Sequence, residues 1–202
     1  AGYIVMEYVG GRSLKQLLKQ RLAANGGQPN PLPVDQSLAF LIEILPAFSY
    51  LHDLRLIYCD FKPENVIQVG DALKLIDLGG VRHAGDEDSV IYGTVGFQAP
   101  EVATQGPSIA SDIFTIGRTL MVLSADVPGY QTTYETSIPA AEEMPLIAAY
   151  DSVYRLLLKC CARDPNDRFT SAEELRVQLL GVLREVVADR TPGIATTAMA
   201  SS

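Results

Sequence analysis

The sequence predicts an α+β fold that is mainly α, and three features carry that prediction. Leu38, Leu41, Ile42, Leu45, Phe48 and Leu51 recur at threes and fours, the spacing of one helical face. Two short β-type runs, Val66–Val69 and residues 73–76, flank Gly70, Asp71 and Ala72 and read as a hairpin. Most of the remaining chain has helical apolar spacing with recognisable caps.

Taken in order, Tyr3, Ile4, Val5 and Met6 form a strand pattern that ends at Gly10 and Gly11, and Ser13 is placed to cap a short helix over 14–22. The Gly-, Asn- and Pro-dense run AANGGQPNPLP is a surface connection. Asp35 is the expected N-cap of the next helix, which Pro46 should kink. Beyond the hairpin, Ser108 or Ser111 opens an apolar helix through Leu123, and a further helix spans 150–161. A last helix runs from Thr170 or Ser171 to about Ala188, with Glu173 and Glu174 three residues after the two candidate caps. TPGIATTAMASS, after Asp189, has the composition of a linker or disordered tail.

Composition narrows the function. A net charge of −8 lacks the basic footprint of a nucleic-acid binder, so a protein or small-molecule partner is expected. No apolar run is expected to approach the roughly 18 to 20 residues of a membrane span, and the N-terminus has no basic leader or cleavage site, so a cytoplasmic location is expected. Cys59, Cys160 and Cys161 suggest neither a disulfide framework nor a zinc site. The chain begins at Ala1 directly in a strand pattern and is expected to be cut from a longer protein.

The chemistry concentrates in YCDFKPEN, residues 58–65, and in Ile76, Asp77, Leu78 and Gly79 after the hairpin. A carboxylate and a side-chain amide suit Mg²⁺, which takes one or two protein oxygens beside nucleotide phosphates. Asn65 and Asp77 are the candidate metal ligands. Asp60 is then available to orient or deprotonate an attacking hydroxyl, with Lys62 as a point charge on the transferred phosphoryl group. Gly79 is expected to turn the chain after the metal ligand.

Asp60-Phe61-Lys62-Pro63-Glu64-Asn65, then Ile76-Asp77-Leu78-Gly79, then Ala99-Pro100-Glu101, resembles the catalytic loop, metal motif and activation-segment end of eukaryotic-like protein kinases. The resemblance implies a serine/threonine protein kinase using ATP and Mg²⁺ on protein substrates, with Lys62 and Thr94 marking the serine/threonine branch. It implies that Met6 is the gatekeeper, that the Glu7 carbonyl and Val9 amide meet adenine, and that Ser13 lies near the ribose. Asp112 in DIFTIG would brace the catalytic loop, Arg168 would pair with Glu101, and Thr94 would bond Asp60 and Lys62. Residues 1–12 would be the hinge strand and hinge, 13–188 the C-terminal lobe, and 189–202 the tail, with the N-terminal lobe missing.

Tyr58 and Cys59 replace the family's His-Arg, and Leu78 replaces its Phe. With SIASDIFTIGRTL, these departures are most similar to the protein kinase G group of mycobacteria and their relatives. That similarity implies rubredoxin-like and tetratricopeptide modules elsewhere in the full-length protein. Without the Arg, a phosphate on Ser89, Tyr92 or Thr94 would meet no local cation. Residues 1–202 alone, lacking the glycine-rich loop, its lysine and the partner Glu, would show no kinase activity, and Tyr3 and Val5 would form an unpaired edge strand prone to self-association. The competing readings are a catalytically inactive kinase-like scaffold and a small-molecule phosphotransferase.

Overall fold

The computed structural model describes residues 10–86, 88 and 93–190, so the expected opening strand and the tail beyond Arg190 lie outside the described residues, while Asp189 and Arg190, expected to open the tail, belong to the last helix. Strand β1 (Arg12–Ser13) leads directly into α1 (Leu14–Ala24). Ser13 Oγ accepts from the Gln16 N–H at 3.1 Å, and Gln16 Oε1 accepts from the Ser13 N–H at 2.8 Å. This reciprocal cap satisfies two donors that the first turn leaves open.

Helix α2 (Val34–Asp53) starts one residue earlier than its expected cap. Pro33 takes the N-cap position, so Asp35 is a first-turn residue, and its carboxylate meets Arg190 Nη1 at 2.6 Å. An acid there still complements the helix dipole. The helix runs on past Pro46 to Asp53. By length and composition α2 could cross a bilayer, contrary to the expectation that no segment would. Here Leu38, Leu45 and Phe48 are fully buried in the protein core.

Strand β2 (Leu56–Ile57) opens the next segment; β3 (Val66–Val69) and β4 (Ala72–Leu75) form the hairpin, and β5 (Arg82–His83) follows. Val69 faces Ala72, so the turn is the two residues Gly70 and Asp71 rather than three. Gly70 has φ +60°, the left-handed value that glycine supplies at the first turn position of a type II′ hairpin. β1 adds to β3, while β2 pairs antiparallel with β5 in a second small sheet that the sequence did not announce. Together these pairings bracket residues 58–65 and Asp77.

The helices α3 (Val102–Gln105), α4 (Ile109–Ser124), α5 (Pro145–Ala148), α6 (Asp151–Cys160) and α7 (Ala172–Arg190) complete the fold. α4 is capped by Ser108, with Ser111 returning the bond, and is buried on almost every side. A helix buried on all sides sits at the centre of a core, and its charged side chains there must be hydrogen-bonded. α2 packs against both α7 and α4, and α6 packs on α4. At α7, Ser171 Oγ accepts from the Glu174 N–H at 3.0 Å, and Glu174 Oε2 accepts from the Thr170 N–H at 2.6 Å. One glutamate therefore serves both candidate caps, while Glu173 pairs with Arg176 at 2.8 Å.

Cys160 and Cys161 are buried thiols, and burial pushes the Cys161 thiol up to about 12. They pack on Gly117 so closely that a Cβ there would lie 2.6 Å from Cys160 Cβ and 2.7 Å from Cys161 Sγ. Gly117→Ala gains about 1 kcal/mol of helix propensity, but overpacking a core costs about 1–3 kcal/mol. We expect a net loss of stability, read as a lower denaturation midpoint; a stabilised variant would show that the α4–α6 contact yields easily.

Candidate active site

An acid at the centre of the core holds the loop from behind. Asp112 on α4 has no solvent exposure; its Oδ2 accepts from the Tyr58 N–H and its Oδ1 from the Cys59 N–H, both at 2.9 Å. His52 Nε2, at the end of α2, lies 2.8 Å from Asp112 Oδ2. A buried carboxylate needs such partners to offset its desolvation. Edge-to-face contacts among Phe48, Tyr58 and Phe61, with centroids 5.0–6.2 Å apart, seat the loop on α2.

The loop backbone is bent at Cys59, which has φ +72°. Non-glycine residues rarely adopt this value, and it persists where surrounding contacts over-determine it. Burial, with the Asp112 carboxylate next, pushes the Cys59 thiol up to about 12, so it stays a neutral, packed thiol. Arg82 on β5 is close enough to oppose that rise, and its guanidinium donates to the Gly79 and Val81 carbonyls. Of the three positions expected to meet no local cation, Thr94 is described, and Lys62 Nζ stands 2.6 Å from its hydroxyl, which corrects the expectation there. Ser89 and Tyr92 lie outside the described residues.

Asp60, Lys62 and Thr94 come together as a triangle. Thr94 Oγ1 donates to Asp60 Oδ1 at 2.7 Å and accepts from Lys62 Nζ at 2.6 Å. Lys62 Nζ also stands 3.1 Å from Asp60 Oδ2. Thus one carboxylate oxygen is oriented by a hydroxyl and the other by an ammonium, and the side chain keeps 20% exposure toward the opening. Glu64 lies 3.6 Å from Lys62 and 2.9 Å from Lys15 on α1.

Asn65 and Asp77 reach the same edge through the hairpin. Asn65, itself buried, donates from Nδ2 to the Asp60 carbonyl at 2.7 Å, which leaves Oδ1 as the side-chain oxygen that could ligate a cation. The Asn65 carbonyl accepts from the Ile76 N–H at 2.9 Å, so Asp77 follows directly on a residue tied to Asn65. Asp77 is exposed and has φ +62°; the left-handed turn falls on it and not on Gly79, whose N–H donates to Asp77 Oδ1 at 3.1 Å. Tyr58 clamps both segments by donating its phenol to the Ile76 carbonyl. Burial, then the nearby Asp77, Asp60 and Asp112 carboxylates, drives the Tyr58 pKa far up, so the phenol keeps its proton.

The remaining expected residues divide. Ser13 is buried, with its hydroxyl engaged in the α1 cap, which gives a ribose contact no geometric support. Met6, Glu7 and Val9 lie outside the described residues. Glu101 and Arg168 meet as a buried bidentate pair, with Nη1–Oε1 at 2.6 Å and Nη2–Oε2 at 2.9 Å.

One residue escaped sequence reasoning. Arg118 on α4 is fully buried and donates to the carbonyls of Gly96 (2.7 Å), Tyr130 (2.9 Å), Tyr134 (2.6 Å) and Ser137 (2.6 Å). Burial pulls its pKa down. The available signal was a cation in the middle of the apolar run IFTIGRTLMVL.

Residues 1–180 match the family described as protein kinase domain. The chain belongs to this family. It is 49% identical over 190 residues to serine/threonine-protein kinase PknG of Mycobacterium leprae, covering 94% of this chain and 24% of that protein. Identity to PknG of Mycolicibacterium smegmatis is 47% over 199 residues, covering 96% of this chain and again 24% of the relative. PknB of Mycobacterium leprae is more distant, at 29% over 198 residues. The chain spans about a quarter of the length of the PknG relatives it matches. Protein kinases as a family use ATP and Mg²⁺, and this kinase domain carries the oxygen donors and the acid that such chemistry requires.

Proposed function

We propose that the chain forms the catalytic portion of a serine/threonine protein kinase, which transfers the γ-phosphoryl group of ATP to hydroxyls of protein substrates. The Asp60–Thr94–Lys62 triangle carries this reading. It holds a carboxylate at hydrogen-bonding readiness for a hydroxyl proton and keeps an ammonium beside the path of the transferred group. Asn65 Oδ1 and the Asp77 carboxylate fit a hard cation that takes few protein ligands. When bound, Mg²⁺ would neutralise phosphate charge, with Asn65 and Asp77 as the residues that would hold it; Asp60 would take the hydroxyl proton, and Lys62 would steady developing negative charge.

The buried Glu101–Arg168 pair favours a protein kinase over a small-molecule phosphotransferase, because it builds the wall that ends the segment carrying Thr94. An inactive scaffold would have no need of both Asp60 and Asp77 in these settings. In this reading residues 1–12 serve as the hinge and 13–188 as the C-terminal lobe. The greater length of the PknG relatives supports further modules in the whole protein; that these are of the rubredoxin-like and tetratricopeptide kinds rests on the family resemblance alone.

The test is magnesium-dependent transfer of labelled phosphate from ATP to a protein by the full-length protein. Asp77→Asn should weaken magnesium-dependent nucleotide binding by at least the about 10- to 100-fold seen when groups behind a metal ligand are changed. Undiminished binding in that variant would remove Asp77 as the ligand.

A further inference from the structure

We infer that Arg118 is a positioning residue for the protein substrate, holding the strip of residues 94–97 against the loop 130–137 so that a polypeptide hydroxyl is presented to Asp60. The inference rests on the kinase reading above. Arg118 sits on the core helix α4, yet its four hydrogen bonds all run to carbonyls of these two segments. Gly96, whose carbonyl receives the Nε–H, lies two residues from Thr94, which is bonded to Asp60 and Lys62.

Three further contacts fix the strip in one place. Gln131 Nε2 donates to the Val95 carbonyl at 3.3 Å, and Phe97 packs edge-on against Tyr130 at 5.7 Å. Gly96 has φ +88°, and a Cβ there would stand 2.8 Å from the Tyr130 carbonyl oxygen. At Gly96 the strip thus touches the loop too closely for a side chain, and Arg118 ties both from beneath. Phe97 and Tyr130 in turn form one wall of a cavity of about 260 Å³, with Lys15, Pro63, Glu64 and Asp126 among the others. Glu64 at this cavity stands 3.6 Å from Lys62, and Val95 on the strip is exposed. Packing alone would be served by an apolar side chain, since a buried charge is a poor device for stability. A guanidinium adds direction: its fixed fork of donors sets where four carbonyls point.

Kinetics of the full-length protein separate positioning from mere support. A variant that only folds less well loses active molecules, so its maximal rate falls while both KM values stay the same. A displaced strip raises the KM for the protein substrate alone. We expect Arg118→Met to raise the protein-substrate KM about tenfold or more, with the KM for ATP within about twofold of the original. Arg118→Lys, which keeps the charge with three donors in place of five, should fall between the two. If Arg118→Met does not fold, the lysine variant decides, and there an unchanged protein-substrate KM overturns the inference. A loss of maximal rate with both KM values unchanged overturns it as well. A wild-type protein that phosphorylates no protein overturns the kinase reading beneath it; a wild-type that does, beside Arg118 variants with normal substrate KM, overturns the positioning role alone.

Discussion

Asp60→Asn in the full-length protein is expected to lower phosphoryl transfer to serine or threonine by about 10²- to 10⁴-fold, the range for a positioned acid/base group, while nucleotide affinity is kept. The substitution is nearly isosteric, so the Thr94 hydroxyl can still donate to Oδ1 as it does now at 2.7 Å. The other oxygen becomes an amide nitrogen 3.1 Å from Lys62 Nζ, donor facing donor. Lys62 should then turn toward Glu64, which already lies 3.6 Å away. The variant therefore loses both the proton acceptor and the placement of the ammonium, whereas Asn65 Oδ1 and Asp77 remain. Steady-state rates beside a nucleotide titration check this, and near-normal turnover with normal binding would end the assignment of Asp60.

Much of this site was legible because it is local. Asp60, Lys62 and Asn65 sit within six residues of one loop, and Asp77 follows a hairpin whose turn residues announce it. The helices were legible from their caps: Ser13, Ser108 and Ser171 each accept from the N–H three residues on. What was hidden is non-local or conformational. The β2–β5 pairing joins two-residue strands separated by the whole hairpin, too short for any periodicity to mark them. The positive φ values of Cys59 and Asp77 run against residue preference and follow from tertiary contacts, so the turn expected at Gly79 falls at Asp77. Asp35 carries the right side chain for a cap but is drawn into the first turn, where it pairs with Arg190 from the far end of the chain. Arg118 could be flagged as a misplaced charge, but only the fold shows that its carbonyl partners lie up to 22 residues away in sequence.

Arg168→Met is expected to destabilise the kinase domain by about 3–5 kcal/mol, the cost of breaking a buried ion pair by removing one partner. Glu101 would be left buried with neither of its two guanidinium bonds. The carbonyls of Ala162 and Arg163, which accept from Arg168 at 2.8 and 3.4 Å, would also be orphaned, that of Ala110 inside α4 would lose a second donor at 3.0 Å, and the guanidinium contact over the Phe114 ring would vanish. These bonds join the segment after residue 99, the start of α4 and the link between α6 and α7, so three elements lose a common anchor. At about 2–4 °C per kcal/mol for a domain of this size, the melting temperature should fall by about 6–20 °C. Glu101→Gln keeps the shape and one acceptor while removing the charge, and leaves a cation that still has its carbonyl partners; its loss should be the smaller. The double change Glu101→Leu with Arg168→Met removes the stranded carboxylate but not the orphaned carbonyls, so it should recover only part of the difference. Denaturant midpoints of the three variants measure this ordering. An Arg168→Met domain as stable as the original would mean that Glu101 finds water or another donor, and that the pair does not hold the activation-segment end in place.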